Sequence, residues 1–376
     1  MTRTMSEVNA RHQQAIASLD GIRAISVLIV IAAHSGFVTV PGGLGVTIFF
    51  FLSGYLITTL MLAEHERTGE LDIVRFYARR VFRLMPPLIV TLAIVYGLTF
   101  AGLVPGGITL AGLASQLLYF ANYYQIFFDP GNTLPGGTEV LWSLAVEEHY
   151  YICYPIIMSV LLRNALRPSQ IAALLCVSCI AILAWRIHLV MAPDFSDYRT
   201  YYASDTRIDS IIYGCILALI ANPLRESHRA QTMSLGQWAI FAVALGGLLV
   251  TLVYRSAFFR ETFRYSLQGL ALMPMFFFAI RYSGNALFRH LNSTWLSRLG
   301  VYSYTIYLIH HVLIQIIVTG VPALAARRVM VFSAALLISI TYAAAIDRFV
   351  DPYFRQLRVK FRAKSAMRAA VLETAK

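Results

Sequence analysis

Eleven stretches of the chain carry almost unbroken apolar side chains: 22–41, 43–63, 85–104, 109–128, 141–163, 169–191, 208–222, 235–254, 262–281, 298–319 and 327–347. The hydrocarbon core of a bilayer takes roughly 20 residues of helix, so each stretch reads as a candidate span. Polar residues are confined mostly to the short connections. That pattern predicts an all-α, polytopic membrane bundle and leaves no room for a large soluble domain.

Charge then tests the count, because basic residues collect on the cytoplasmic side. The connection 64–84 holds Arg67, Arg75, Arg79, Arg80 and Arg83, and the tail holds Arg355, Arg358, Lys360, Arg362, Lys364 and Arg368. An even number of crossings must separate two cytoplasmic segments, yet nine candidates lie between them. The weakest is 109–128, with Gln116, Asn122, Tyr123 and Tyr124, which predicts a re-entrant or interfacial segment. Ten crossings with both termini cytoplasmic follow. Arg255, Arg260 and Arg264 then fall on the outside, against the rule. The connection 64–84 is amphipathic, with Ile73, Phe76, Tyr77, Val81 and Phe82 among arginines. It is expected to lie on the inner surface and turn inward at Pro86 and Pro87. Three regions result: a cytoplasmic N-terminal tail 1–20, a membrane domain 21–350 and a basic cytoplasmic C-terminal tail 351–376. The first span lacks a cleavage signature and reads as an uncleaved anchor.

Composition agrees with the pattern: 58% hydrophobic, 13% charged, mean hydropathy +0.65. The net charge of +12 sits where topology needs it, so it does not argue for nucleic acid. Cys153, Cys176, Cys179 and Cys215 all lie within apolar segments and read as packing residues. Neither a P-loop nor an H-E-x-x-H metal motif is present, and no metal is expected.

Ionisable residues inside spans are costly and mark function by default. In LDGIRAISVLIVIAAHSG, Arg23 and His34 are eleven residues apart, which returns to within about 20° of one helix face and separates them by roughly 16 Å along the axis. LWSLAVEEHYYICYP places Glu147, Glu148 and His149 shortly after Trp142 and Ser143. Adjacent residues diverge by about 100°, so at most one of the two carboxylates aims at a given atom. VYSYTIYLIHHVLIQ sets His310 and His311 behind Tyr302, Tyr304 and Tyr307. DTRIDSIIYG puts Asp205, Arg207 and Asp209 at the mouth of another span, where an Arg–Asp latch competes with a substrate role. Arg79, Arg80 and Arg83 stand at i, i+3 and i+4 spacings that allow one guanidinium cluster, suited to a phosphorylated cytosolic cofactor or to lipid headgroups.

In order along the chain, LDGIRAISVLIVIAAHSG, GVTIFFFLSGYLIT, FYARRVFRLMPP, LWSLAVEEHYYICYP and YSYTIYLIHH resemble the acyltransferase-3 family of integral membrane acyltransferases. The resemblance implies transfer of an acyl group, most often acetyl from acetyl-CoA, to a hydroxyl of a carbohydrate, glycolipid or secondary-metabolite acceptor. Arg23 and His34 match that family's essential pair, Arg79, Arg80 and Arg83 its basic motif, and Glu147 and Glu148 its acidic pair. His149 stands where members often carry Gln. The resemblance also implies a stand-alone form without an appended hydrolase-like domain, in the cytoplasmic (inner) membrane.

The expected roles follow. His34 is the general base, Glu147 or Glu148 orients it, Arg23 holds the donor or the oxyanion, and Arg79, Arg80 and Arg83 bind the CoA phosphates. Trp142, Ser143, Tyr307, His310, His311 and Asp209 are expected to line the acceptor site. The competing reading is a transporter or flippase of a lipid-linked glycan or small metabolite, since buried Arg, His and Glu also suit proton-coupled transport.

Overall fold

The computed structural model describes residues 5–129, 131–225, 232–354 and 356–357, and is all-helical apart from one isolated bridge between Gly106 and Pro135. Most of the expected C-terminal tail, 358–376, lies outside the described residues, as do residues 1–4. The expected N-terminal tail is otherwise the first part of a helix, α1, which runs Met5–His34.

The elements that follow are α2 (Gly42–Thr68), α3 (Ile73–Phe100), α4 (Leu110–Leu117), α5 (Ala121–Phe127), α6 (Trp142–Arg163), α7 (Pro168–Val190), α8 (Asp197–Tyr202) and α9 (Ser204–Arg207). After them come α10 (Asp209–Ile220), α11 (Leu235–Val253), α12 (Ala257–Glu261), α13 (Phe263–Arg281), α14 (Thr294–Gly320) and α15 (Arg328–Ala345). Among the described residues eight helices are long and apolar enough to cross a membrane: α1, α2, α3, α7, α11, α13, α14 and α15, the last counted through Phe354. The charged α6 and the short α10 pack among them. Exposed Ile152, Ile156 and Val160 on α6, Val177 and Ile180 on α7, Val243 and Val250 on α11, and Leu337 and Ile338 on α15 give the bundle an apolar outer surface. Such a surface is stable only against lipid.

The 109–128 segment does not form a span. It is two short helices broken at Tyr119, whose φ is +57°. Its polar residues find partners in the loops around it: Gln116 Nε2 donates to Thr138 Oγ1 at 2.7 Å, and Asn122 Nδ2 donates to Ser204 Oγ at 3.0 Å. Those bonds satisfy polar side chains that a lipid-facing span would leave without partners.

The connection 64–84 is shared between two long helices. α2 continues to Thr68 and stops at Gly69 (φ +80°), then Asp72 caps α3 by accepting from the Arg75 amide at 2.8 Å. From Ile73 the helix passes through Pro86 and Pro87 to Phe100 without ending. The proline pair removes two backbone donors, and the Tyr304 hydroxyl donates to the Leu84 carbonyl (2.9 Å) just before it.

At the centre, α2 and α10 touch backbone to backbone. A Cβ on Gly54 would fall 2.0 Å from the Ile211 carbonyl oxygen, and one on Gly214 would fall 1.9 Å from that of Phe51. Small residues at helix crossings in lipid permit this approach. α1 is held against α14 and the turn before it in the same way, through Gly300 on the Asp20 carbonyl and Gly21 on that of Leu291. Nearer the C-terminal end of α1, where His34 stands, a Cβ on Gly45 would fall 2.7 Å from the Ser26 carbonyl oxygen and one on Gly42 2.7 Å from the Ala33 Cβ, which holds that end against α2.

Candidate active site

His34 is the last residue of α1, and two histidines of α14 meet it there. His34 Nδ1 lies 3.0 Å from His310 Nε2, and the His34 ring stacks on that of His311 at 4.3 Å between centroids. His310 is fully buried, and its Nδ1 lies 2.8 Å from the Tyr307 carbonyl. A carbonyl accepts only, so His310 Nδ1 carries the hydrogen. In neutral His310, Nε2 is then the acceptor and His34 Nδ1 the donor. That assignment leaves the lone pair of His34 on Nε2.

Glu139 completes this group. It lies in a 3₁₀ turn, Glu139–Leu141, just ahead of α6, with its Oε2 3.7 Å from His311 Nδ1. Burial pushes the Glu139 carboxyl above its ordinary value, against the pull of backbone amides including that of Gly137. Glu139 also lines a cavity of about 650 Å³ at this end of the bundle, with Gln125, Asp129, Tyr198, Tyr202 and Gln315. Carboxylates, amides and tyrosines are the groups that hydrogen-bond and stack on polyhydroxylated ligands.

Tyr307 connects the histidines to the interior. One turn before His310, its hydroxyl pairs with Ser143 Oγ at 2.7 Å and reaches the Val140 carbonyl at 3.1 Å, fastening the start of α6 to α14. Ser143 and Tyr307 also close one end of a cavity of about 100 Å³ lined by Arg23, Ser53, Arg80, Arg83, Glu147 and Tyr304 among others. Glu147 there accepts a hydrogen bond from Ser53 Oγ. The Arg80 guanidinium lies 3.3 Å over the Tyr151 ring. Arg23 pairs with Asp20 at 3.3 Å, one turn earlier on α1.

The sequence-derived residues therefore divide. Arg23, Arg80, Arg83, Glu147, Ser143 and Tyr307 surround the inner cavity, whereas His34, His310 and His311 cluster beyond it. Arg79 turns away and pairs with Glu64 at 3.5 Å. Glu148 is absent from that cavity's lining, as the 100° offset between neighbours requires. Trp142 is buried against Tyr201 and Tyr202, each at 5.0 Å. His149 bonds to Ser204 Oγ at 2.6 Å and ties α6 to α9. Asp209 lies apart from both cavities in a fully buried ion pair with Arg186, 2.7 Å, and also accepts from Ser266. The latch at this mouth thus uses Arg186 of α7. Arg207 instead sits among the rings of Tyr265 (3.8 Å), Tyr201, Trp142 and Phe50.

Glu139, Ser53 and Arg186 escaped the reading of the sequence. Glu139 precedes the apolar run of α6 and looks like an ordinary loop acid. Ser53 hides among small residues, where close packing is explanation enough. Arg186 near a span's end reads as a topology anchor. Among the described residues no group of three or more His, Cys, Asp or Glu could hold a metal ion.

An apolar bundle with a buried histidine cluster beside an arginine-lined cavity defines a membrane protein built for chemistry on a polar or charged ligand. A family model described as an acyltransferase domain matches residues 16–348, and the chain belongs to this acyltransferase-3 family. It is 30% identical over 356 residues to the peptidoglycan O-acetyltransferase OatA of Listeria monocytogenes, covering 91% of this chain and 56% of that protein. The O-acetyltransferase OatA of Staphylococcus aureus is 29% identical, over 80% of this chain and 50% of its own length. The putative peptidoglycan O-acetyltransferase YrhL of Bacillus subtilis is 32% identical, over 83% and 50%. The chain thus spans about half the length of the curated relatives it matches. No solved structure matches.

Proposed function

We propose that the chain is a membrane O-acyltransferase of the cytoplasmic membrane that moves an acetyl group from acetyl-CoA, or another acyl group from its CoA ester, to a hydroxyl of a carbohydrate or glycolipid acceptor. The relatives' names supply the acetyl group and the carbohydrate class. The observation that carries the reading is the pair His34–His310, 3.0 Å apart, set just beyond a cavity walled by Arg23, Arg80 and Arg83.

In this reading the N-terminus and the arginine cavity face the cytosol, where acyl-CoA is made, and guanidinium groups suit its phosphates. His34 Nε2 takes the proton of the acceptor hydroxyl as that oxygen attacks the thioester carbonyl. The C–O bond forms, the tetrahedral intermediate collapses, and the C–S bond breaks. The imidazolium returns the proton to the departing thiolate. His310 holds His34 in the productive tautomer, the part played by the carboxylate in a serine hydrolase triad. Arg23 serves the donor or the oxyanion, and Glu147, bonded to Ser53, shapes the donor cavity. The acceptor occupies the cavity beside Glu139. Arg79, Glu148 and Asp209 take supporting places.

The test supplies membranes carrying the full chain with acetyl-labelled acetyl-CoA and follows label into envelope glycan. His34→Ala expressed at wild-type level is expected to abolish incorporation. Undiminished incorporation in that variant, or glycan movement without any labelled product, overturns the reading.

A further inference from the structure

The structure holds a third polar cavity, which the acyl-transfer reading does not use. It lies at the His34 end of the bundle, between the end of the α1–α2 connection with the first turn of α2 (Val38–Leu44) and the α11–α13 region, and measures about 250 Å³. That is room for several waters at about 30 Å³ each, and hence for a small anionic group. Arg255, Arg260 and Arg264 line it with Tyr201, Tyr254, Tyr265 and Gln268. Among the described residues no Asp or Glu lines it.

These three arginines are the ones that break the charge rule of the sequence. Cations held on the wrong side of a membrane need a reason beyond topology. Their partners leave them under-satisfied. Arg264 meets Glu261 at 3.7 Å and the Tyr265 hydroxyl at 2.6 Å, but its Nε has no hydrogen-bond partner among the described residues. No carboxylate among those residues lies within ion-pair distance of Arg255 or Arg260. Gln268 is 3% exposed and donates through Nε2 to Thr251; its Oε1, an acceptor without a partner among the described residues, suits an ordered water beside the anion rather than the anion itself. Buried polar atoms without partners mark the place of a missing ligand or ordered water.

The surroundings define what kind of ligand fits. At the rim, Tyr254 lines the cavity and is exposed, and Val253 and Phe258, close to lining residues in the chain, are exposed as well; apolar and aromatic groups of this kind sit at headgroup depth. We propose that this cavity binds the phosphate of an anionic lipid, the arginines taking the phosphate oxygens and the rim taking the first part of the chain. The site is separate from the acyl-transfer residues, and binding is read without acyl donor, so either reading can fail alone.

The experiment titrates the purified full chain in neutral detergent and reads bound lipid by native mass spectrometry. The probes are short-chain phosphatidylglycerol, short-chain phosphatidylcholine, geranylgeranyl diphosphate and inorganic phosphate. Both lipid-borne anionic probes are expected to bind more tightly than phosphatidylcholine. Arg255→Gln/Arg260→Gln should weaken them roughly tenfold or more through loss of two interfacial cations. Whichever of phosphatidylglycerol and the diphosphate binds tighter names the natural source. Equal binding of phosphatidylcholine and phosphatidylglycerol overturns the proposal. So does affinity unchanged in the double variant, or inorganic phosphate matching the lipids. If the double variant does not fold, a steep loss of wild-type binding with added salt is the expected substitute, and salt-independent binding overturns it.

Discussion

His34 Nδ1 and His310 Nε2 stand 3.0 Å apart although 276 residues separate them in the chain. Because His310 Nδ1 is committed to the Tyr307 carbonyl, the bond orients His34 with its Nε2 lone pair available. His310→Ala should therefore lower kcat for acyl transfer about 10²–10⁴-fold, as loss of a base or its orienting partner does. The His34→Ala/His310→Ala double variant should be no worse than His34→Ala alone, because the two act as one unit. Labelled-acetyl turnover in membranes, normalised to protein level, checks this. Additive losses would separate the two histidines.

Arg80 and Arg83 line the inner cavity and Arg79 pairs outside it with Glu64. Arg80→Gln or Arg83→Gln should raise KM for acyl-CoA by roughly tenfold, with a salt dependence weaker than wild type. Arg79→Gln should change it little, since an exposed pair contributes about 0–1 kcal/mol. Steady-state kinetics against donor concentration distinguish the three.

The Asp209–Arg186 pair is fully buried at 2.7 Å. Asp209→Ala should destabilise the protein by about 3–5 kcal/mol by leaving an unpaired guanidinium in the core. Replacing both partners with apolar residues of similar size should recover much of that loss. Thermal unfolding in detergent, read by tryptophan fluorescence, measures both.

Gly54 and Gly214 sit where α2 and α10 meet, with a carbonyl about 2 Å from each imagined Cβ. Either Gly→Ala change should push the helices apart and cost about 1–3 kcal/mol. The reported shift in unfolding temperature should be similar for the two variants and less than additive in the double, because one separation accommodates both methyls. Gly97 of α3 has no atom within 4 Å of an imagined Cβ, so Gly97→Ala is the control without a clash and should be neutral to slightly stabilising through helix propensity.

Burial raises the Glu139 carboxyl above its ordinary 4.5. A raised acid is harder to ionise when folded, so its contribution to stability is fully present below the unfolded value and is lost as pH rises through the folded one. Glu139→Gln, which imitates the protonated acid, should stabilise the protein near pH 7. The gain should shrink as pH falls and vanish below about 4.5. Unfolding temperature across that range gives the sign directly.

Legibility differed by residue. Arg23 and Glu147 stood out because charge in an apolar run is expensive, Arg80 and Arg83 because their spacing clusters guanidinium groups in a basic connection, and the structure gathers all four around one cavity. His310 and His311 were visible as a pair, but nothing local said that both would meet His34, or that His311 would also face Glu139. Glu139 was invisible because a single acid in a loop has no pattern. Asp209 pointed toward a site by its neighbours and is instead half of a buried pair with Arg186.

The sequence by itself determined the class: hydrophobic runs of span length, basic connections, and a parity argument that singled out 109–128. These are one-dimensional constraints, set by bilayer thickness and by the cost of moving charge through it. Only the tertiary structure decided which of two adjacent glutamates faces a cavity, which arginine of three turns away, and how α1 meets α14 so that His34 reaches His310. Those outcomes depend on helix rotation and crossing, and in lipid these are set by backbone contacts at Gly21, Gly54, Gly214 and Gly300 rather than by hydropathy.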